Sequence, residues 1–315
     1  MSAAAKLATR ILVPTDFSVG ADRALGYATA LARLAQADVF LHHVIEFLPT
    51  MDPEFPINRN FLQYWRQEGE RGLAERAAWQ ANGHPIKTSL SVGQPSDRLI
   101  AAAQEAKVDL IVMGTHGRTG LDHVLLGSTA ERVIAGGPCP VLAVRTAEPH
   151  GAAQAGTGQA AKPISVDWPL FRRLLVPMDF SDHSLAALEK AVAVASLCSA
   201  SLTLLHALEP VSYGLDFTLL DVERSKEARA AAESRLSRLA TPLIAAGHHV
   251  ETAVRGGLPT DAILHEAGAR RADLIVMGTH GRRGLAHVLV GSVAEHVLRR
   301  ASCPVLAVKS PTYAS

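Results

Sequence analysis

The strongest constraint on this chain is that it repeats itself. Residues Asp109–Val144 align without a gap to Asp273–Val308, and 26 of the 36 positions are identical. A shorter match keeps nearly the same offset, because residues 12–18 read LVPTDFS and residues 175–181 read LVPMDFS. The repeating unit is about half the chain, far longer than the roughly 20–50 residues of a solenoid repeat. We therefore expect each copy to fold as a domain with its own core.

The length of 315 residues suits two such domains. We predict a first domain over residues 1–147, a linker over 148–168 and a second domain over 169–315. Residues 148–165 read EPHGAAQAGTGQAAKPIS, which offers almost no large apolar side chain for burial. This composition is typical of a flexible connection.

Apolar, β-branched runs alternate with helical patterns in both halves. In the first half we predict strands at 10–14, 39–44, 86–92, 109–113 and 141–144. In the second half we predict strands near 173–177, 202–206, 250–255, 273–277 and 305–308. Ser96 and Asp97 are expected to cap the third helix. The alternation predicts an α/β fold with two tandem, doubly wound, five-stranded parallel sheets, Rossmann-like and of flavodoxin-like order 3-2-1-4-5.

Ligands of doubly wound sheets bind beyond the carboxyl ends of strands, at the point where the strand order reverses. In this fold that point lies between the first and fourth strands of each copy. The loops after those strands are therefore the candidate sites.

Charge and composition argue against several classes of protein. The 31 lysines and arginines balance 30 acidic residues, so the net charge of +1 gives no broad field for nucleic acid or anionic lipid. No apolar run approaches the ~20 residues of a membrane span, and the first residues lack a secretory segment, so we expect a cytoplasmic protein. Cys139, Cys198 and Cys303 are too few and too scattered for a disulfide framework, and we expect reduced structural thiols.

A glycine-rich loop follows the fourth strand of each copy. The repeated glycines and serines are Gly114, Gly117, Gly120, Gly127 and Ser128 in the first copy, and Gly278, Gly281, Gly284, Gly291 and Ser292 in the second. Glycines let backbone N–H groups approach an anion without a Cβ in the way. The helix that begins at each serine adds unpaired N–H groups and the positive end of its dipole. The loops predict a phosphate site in each copy, and the alternative is that the glycines merely turn the chain. No Gly-Lys-Ser/Thr is present, so neither is a Walker loop.

An aspartate closes the first strand of each copy. Asp16 and Asp179 would face the same crevice as the glycine loop, where a carboxylate can accept hydrogen bonds from ribose or hold Mg²⁺ against phosphates. The alternative is that each caps the following helix through its Asp-Phe-Ser turn. Both interpretations stay open.

Three pairs of histidines recur in both copies, namely His116/His280, His123/His287 and His43/His206. His116 and His280 lie inside the glycine loops and are candidates for contact with a nucleotide. His43 and His206 end the second strand of each copy, and we expect them to be hydrogen-bonded histidines of the core or crevice.

The motifs Gly114-x2-Gly117-x9-Gly127-Ser128 and Gly278-x2-Gly281-x9-Gly291-Ser292 resemble the ATP-binding signature of the universal stress protein family. The Pro-Thr-Asp-Phe-Ser and Pro-Met-Asp-Phe-Ser openings and the Cys-Pro-Val-Leu-Ala-Val endings fit as well, so the resemblance covers nearly the whole chain except the linker. It implies the tandem type, in which two family domains of one chain pair through their fifth strands. It also implies ATP as a ligand, with Mg²⁺ near Asp16 and Asp179 as a candidate.

The resemblance further implies which residues bind ATP. In the first copy they are Pro14, Thr15, Asp16, Val44, Met113, Gly114, His116, Gly117, Arg118, Gly127, Ser128 and Thr129. In the second copy they are Pro177, Met178, Asp179, Ala207, Met277, Gly278, His280, Gly281, Arg282, Gly291, Ser292 and Val293. The backbone at Val44 and Ala207 would meet adenine, the aspartates ribose or metal, and the glycine-serine segments phosphate. Because Met178, Ala207 and Val293 replace Thr15, Val44 and Thr129, we expect both sites to bind, with unequal affinity.

Two functions are open. In the first, ATP occupancy shifts the conformation or pairing of the two domains, and protein partners read that state during stress adaptation. The alternative is a slow ATPase or nucleotide-transferring enzyme. The residues favour the first, because hydrolysis needs a positioned base or water and charge compensation, for which the evident candidates are Asp16, Asp179, Arg118 and Arg282. We assign no catalytic residue, and a homodimer beyond the internal pairing is left open.

Overall fold

The structure is a computed structural model and describes residues 7–46, 59–80, 85–115, 126–145, 170–209, 219–281 and 290–309. The chain divides into two compact units: one is Ala8–Leu170, and the other comprises Phe171–Ser315 together with Met1–Leu7. The precise domain and linker boundaries stay predictions. Among the described helices, none combines the length and the hydropathy that crossing a membrane requires.

The first unit alternates strands and helices along the chain. Its elements are β1 (Arg10–Thr15), α1 (Val19–Ala35), β2 (Asp38–Glu46), α2 (Arg59–Gln80), β3 (Ile86–Gly93), α3 (Pro95–Glu105), β4 (Leu110–Gly114), α4 (Ser128–Gly136) and β5 (Val141–Val144). All neighbouring strands are parallel, in the order β3-β2-β1-β4-β5. The order therefore reverses between β1 and β4, where Ile11 lies opposite Leu110.

The second unit repeats this plan. Its elements are β6 (Arg173–Pro177), α5 (Asp182–Cys198), β7 (Ser201–Leu208), α6 (Leu219–Ala245), β8 (Val250–Gly256), α7 (Pro259–Ala269), β9 (Leu274–Gly278), α8 (Ser292–Arg300) and β10 (Val305–Val308). Its parallel strands follow the order β10-β9-β6-β7-β8. Read from the other edge, this is the same 3-2-1-4-5 order, so the predicted fold class is confirmed in both copies.

The central strands β1, β4, β6 and β9 are apolar runs because the middle of a parallel sheet of this kind is covered on both faces. Ile11 and Ile111 in the centre of the first sheet are fully buried. Helix α1 packs closely on the sheet because its inner face is small, and Ala24, Ala28 and Ala32 have no exposed surface. Small side chains on α1 thus bring its backbone close to the strand ends.

The start of α3 differs from the sequence prediction. The N-cap is Gln94, which makes no side-chain capping bond, and the helix begins at Pro95. Ser96 and Asp97 therefore lie in the first turn, and the prediction that they cap the helix is wrong. Proline, whose φ is already helical and which lacks an N–H, sets the start instead.

A repeated aspartate fixes the first strand of each domain against the fourth. Asp109, just before β4, accepts hydrogen bonds from the backbone N–H groups of Thr9 (2.8 Å) and Arg10 (2.9 Å). Asp273 does the same for Arg172 (3.0 Å) and Arg173 (3.0 Å). These bonds set the register at the reversal point from which the candidate site opens.

All three cysteines are buried thiols. Burial raises the pKa of Cys198 to about 11 and that of Cys303 to about 12. Since the thiolate is the reactive form, these two groups are chemically quiet at neutral pH.

Candidate functional site

A cavity of about 870 Å³ opens at the carboxyl ends of β1, β2 and β4 in the first domain. Nine of the predicted ligand residues line it: Pro14, Thr15, Asp16, Val44, Met113, Gly114, Gly127, Ser128 and Thr129. The other predicted residues of this copy, His116, Gly117 and Arg118, lie outside the described residues. The fold thus brings the ends of three strands and the start of α4 to one space.

Two of the repeated glycines lie where backbone segments approach closely. A Cβ on Gly114 would lie 3.0 Å from the carbonyl carbon of Gly20, at the start of α1. Gly127 donates its N–H to the carbonyl oxygen of Thr115 at 2.9 Å, and a Cβ there would lie 3.1 Å from the same oxygen. Close packing alone accounts for a glycine at both positions. A role in ligand binding therefore depends on the cavity that they line.

Helix α4 begins at the wall of this cavity. Its N-cap, Gly127, has an extended backbone (φ −61°, ψ 139°) and makes no side-chain capping bond. Glu131 makes the first helical hydrogen bond, to the carbonyl of Gly127 at 2.9 Å. The N–H groups of the first turn have no partner within the helix and point beyond its end, next to Ser128 and Thr129. Together with the helix dipole, they favour an anion.

Asp16 organises the turn between β1 and α1. Its Oδ1 accepts hydrogen bonds from Ser18 N (3.0 Å) and Ser18 Oγ (2.6 Å), and Ser18 Oγ in turn accepts from Ala21 N at 3.3 Å. Asp179 and Ser181 repeat the first two bonds at 3.0 and 2.6 Å. The N-caps of α1 and α5 are Ser18 and Ser181, so the aspartates hold the capping serines, and the prediction that Asp16 and Asp179 themselves cap the helices is wrong. Asp16 also lines the cavity, so the same carboxylate faces the ligand space.

Phe17 and His43 form one wall of the site. Phe17 has a left-handed backbone (φ 66°), which is uncommon for a bulky residue. His43 Nδ1 lies 2.7 Å from the carbonyl oxygen of Thr15, and its ring centroid lies 4.3 Å from that of Phe17. The expectation that His43 is a hydrogen-bonded crevice histidine is confirmed.

A buried ion pair, which the sequence pattern does not reveal, holds this wall in place. Arg76 on α2 binds Asp22 on α1, with 2.5 Å between Nε and Oδ1, and the two side chains are only 11% and 10% exposed. The guanidinium also donates to the carbonyl of Phe17 at 3.0 Å and lies over its ring, 4.8 Å from the centroid. The partners are 54 positions apart, so no local spacing signals the pair.

Helix α2 supplies the outer wall of the cavity, which sequence reasoning missed. Tyr64, Trp65, Glu68 and Glu75 all line it. The aromatic pair is 55% and 41% exposed, although both are large side chains. The signal available in the sequence was an aromatic pair at the start of a predicted helix that follows strand 2.

His42, next to His43 on β2, is a neutral polar group at physiological pH. Its ring nitrogens lie 2.7 Å from Ser89 Oγ and 2.9 Å from Ser91 Oγ. Burial, with a smaller effect of the neighbouring His43, lowers the pKa of His42 to about 4. This histidine links β2 to β3 beneath the cavity.

The second domain places its predicted residues on the equivalent elements. Pro177, Met178, Asp179, Ala207, Met277, Gly278, His280, Gly281, Gly291, Ser292 and Val293 lie in or next to the ends of β6, β7 and β9 and the start of α8. Arg282 lies outside the described residues. A Cβ on Gly281 would lie 2.9 Å from Asp179 Oδ2, so the glycine loop and the aspartate face each other as expected. His206 Nδ1 lies 2.6 Å from the carbonyl oxygen of Met178, and the expectation for this histidine is also confirmed.

The second crevice nevertheless has different side chains beside its floor. His183 takes the place of Gly20, and a Cβ on Gly278 would lie 2.8 Å from His183 Cβ. The ring of His183 lies 5.4 Å from that of His280, and burial lowers its pKa. Arg235 lies over the ring of Phe180 at 3.9 Å, as Arg76 does in the first domain. The two sites therefore have the same close backbone approaches at their glycines and differ in the neighbouring side chains.

Metal ligands are sparse around both sites. Within the described part of the chain, no group of three or more His, Cys, Asp or Glu is placed to hold a metal ion. Mg²⁺ typically takes one or two carboxylates and completes its shell with waters and substrate phosphates. Asp16 fits that limited role, so a metal here would depend on a phosphate ligand.

Comparison with known proteins agrees with this architecture. The model of the Universal stress protein family matches residues 8–145 and 170–309. A universal stress protein of Mycolicibacterium smegmatis is 29% identical over 308 residues, covering 95% of this chain and 96% of the relative. The crystal structure of a universal stress protein from Archaeoglobus fulgidus shares the fold, with a TM-score of 0.70, 24% identity and 97% of each chain covered. Another solved universal stress protein, in complex with cAMP, is 29% identical with a TM-score of 0.35, covering 44% of this chain and 98% of its own.

Two parallel sheets of the same order, each with repeated glycines in close backbone contact at its reversal point, define a tandem protein of the doubly wound α/β class. The chain belongs to the universal stress protein family, and each of its halves matches the family separately.

Proposed function

We propose that each half of the chain binds one molecule of ATP, and that the chain acts in the cytoplasm as a nucleotide-responsive regulator of stress adaptation. The observation that carries the proposal is the cavity of the first domain. Thr15, Val44, Gly114 and Ser128, which are far apart in the chain, line that single space. Occupancy at these sites would be the state that protein partners read.

The chemistry of the cavity suits the parts of an adenine nucleotide. Its volume of about 870 Å³ falls within the roughly 300–1,000 Å³ of small-molecule sites. Val44 and Ile45 offer an apolar strand end to a base, and Asp16 offers a carboxylate to ribose hydroxyls. The N–H groups at the start of α4 suit phosphate oxygens. Bound phosphates would also supply the oxygen ligands that Mg²⁺ needs beyond Asp16.

The second domain is included because it repeats the close backbone approaches of the first. A Cβ on Gly278 would lie 2.9 Å from the carbonyl carbon of His183, and a Cβ on Gly291 would lie 3.0 Å from the carbonyl oxygen of Thr279. Met178 and Val293 stand where the first copy has threonines, so two hydroxyls available to a ligand are lost. We expect the second site to bind ATP with lower affinity.

Isothermal titration calorimetry with ATP, and with cAMP as a comparison ligand, tests the proposal. Gly127→Ala places a methyl group 3.1 Å from the carbonyl oxygen of Thr115 at the cavity wall, and is expected to weaken one site. Gly291→Ala places a methyl group 3.0 Å from the carbonyl oxygen of Thr279, and is expected to weaken the second site. Gly268→Ala is the matched control, because nothing lies within 4 Å of its Cβ position, and it should leave both sites unchanged.

Circular dichroism of each variant checks that the fold is kept, so that lost binding is assigned to the site. The unmodified chain should show two sites for ATP. Absence of ATP binding in the unmodified chain contradicts the proposal, and the glycines would then serve only the packing described above.

Phosphate release separates a regulator that holds its nucleotide from the alternative, a slow ATPase. With ATP and Mg²⁺ we expect release at the rate of the protein-free control. Turnover that Gly127→Ala abolishes would favour the enzyme.

The pairing of the two domains stays a prediction, and light scattering of the chain tests for a further homodimer.

A further inference from the structure

Two aromatic side chains at the mouth of the first cavity have an unusual exposure. Tyr64 is 55% exposed and Trp65 41% exposed, and both line the cavity. Their rings meet edge to face, with centroids 5.7 Å apart and an interplanar angle of 76°. Exposed apolar side chains that lie together at a groove are a feature of ligand-binding sites.

The geometry of α2 directs Trp65 towards the ligand space. A Cβ on Gly69 would lie 3.2 Å from His43 Cδ2, and one on Gly72 would lie 3.0 Å from the ring of Phe17, so these glycines mark the face that packs on the site. Trp65 precedes Gly69 by four residues and therefore lies on the same face, one turn nearer the start of the helix. Trp65, Gly69 and Gly72 all line the cavity.

We propose that Tyr64 and Trp65 form a stacking wall for the base of the nucleotide bound in the first domain. The inference rests on the proposed function, and it names the residues that recognise the base at that site. Aromatic rings stack on the flat face of a nucleobase, and this contact is indifferent to the phosphates. Val44 and Ile45, at the end of β2, line the same cavity and would meet the edge of the base.

The helix of the second domain that corresponds to α2 carries no such aromatic pair. Arg235 on α6 corresponds to Arg76 on α2, because each lies over the phenylalanine ring of its own domain. Counting back from Arg235 places Glu223 and Arg224 where the first domain has its aromatic pair. The sequence of α6 contains no Phe, Tyr or Trp at all. Among the described residues of these two helices, a wall for base stacking is present on α2 and not on α6, so the two sites should differ in their choice of base.

Calorimetry of the Tyr64→Ala/Trp65→Ala double variant tests this inference, with ATP and inorganic tripolyphosphate as probes. The affinity of one of the two ATP sites should fall by about 5- to 150-fold, the range measured for loss of base stacking. The other ATP site and the affinity for tripolyphosphate should not change. A Tyr64→Phe/Trp65→Phe variant keeps both ring faces and should retain most of the affinity.

The outcomes separate this inference from the proposed function. If the unmodified chain binds two ATP and the double alanine variant binds them equally well, the stacking wall is wrong and the proposed function stands. Equal losses for ATP and tripolyphosphate would also overturn stacking, since the effect would then not concern the base. If the unmodified chain binds no ATP, both fail.

Discussion

Removing the carboxylate of Asp22 is expected to destabilise the first domain strongly. Asp22→Asn keeps the size of the side chain and leaves the Arg76 guanidinium, 11% exposed, without its carboxylate partner. Breaking a buried pair in this way costs about 3–5 kcal/mol. Arg76 retains its hydrogen bond to the carbonyl of Phe17 and its contact with that ring, so we place the loss at about 3 kcal/mol, the lower end of that range.

Urea unfolding followed by tryptophan fluorescence measures this loss, because Trp65 and Trp79 both belong to α2 of the first domain. The matched control is Asp38→Asn, which breaks the exposed pair with Lys87, whose side chains are 57% and 49% exposed. Such a surface pair is worth roughly 0–1 kcal/mol. If Asp22→Asn loses no more stability than Asp38→Asn, the buried pair does not hold α1 and α2 together, and the reasoning is refuted.

Three further predictions follow from single residues. Burial lowers the pKa of His42 to about 4, so between about pH 6.5 and 4 the unfolded chain takes up a proton that the native chain does not. The first domain should therefore lose up to about 3 kcal/mol of stability on acidification over that range, measured by urea unfolding at several pH values. His42→Leu, which introduces the residue found at the equivalent Leu205 of the second copy, should abolish this dependence of stability on pH. Cys198 and Cys303, whose pKa values burial raises, should resist iodoacetamide at pH 8 in the native chain and react in urea; native labelling of either, read by mass spectrometry, would contradict their burial. Gly114→Ala should weaken ATP binding and also lower the thermal midpoint of unfolding, because its methyl group would lie 3.0 Å from the carbonyl carbon of Gly20. An unchanged midpoint would show that the backbone at the start of α1 shifts to accommodate the methyl group.

The features that the sequence predicted are those encoded by local pattern or by repetition. The central strands of both domains are short apolar runs, and the order of β1 beside β4 follows from the alternation of strands with helices. The glycines were found because two copies kept them at one spacing. The turn at Asp16 was also readable, since its partner Ser18 is two residues away.

What the sequence could not predict depends on contacts between distant segments. Arg76 is one of many arginines, and only the packing of α2 on α1 places it beside Asp22. The sequence did not indicate that His183 lies beside Gly278 in the second domain, because this contact depends on how closely the backbone of Gly278 approaches the start of α5. The start of α3 was misread because two good capping residues follow a proline that sets the helix by its own φ.

Native mass spectrometry of the intact chain in the presence of ATP counts the nucleotides that the chain holds. We expect two bound nucleotides per chain, falling to one in Gly127→Ala and to one in Gly291→Ala. A chain that carries no ATP under conditions where its fold is intact would contradict the claim.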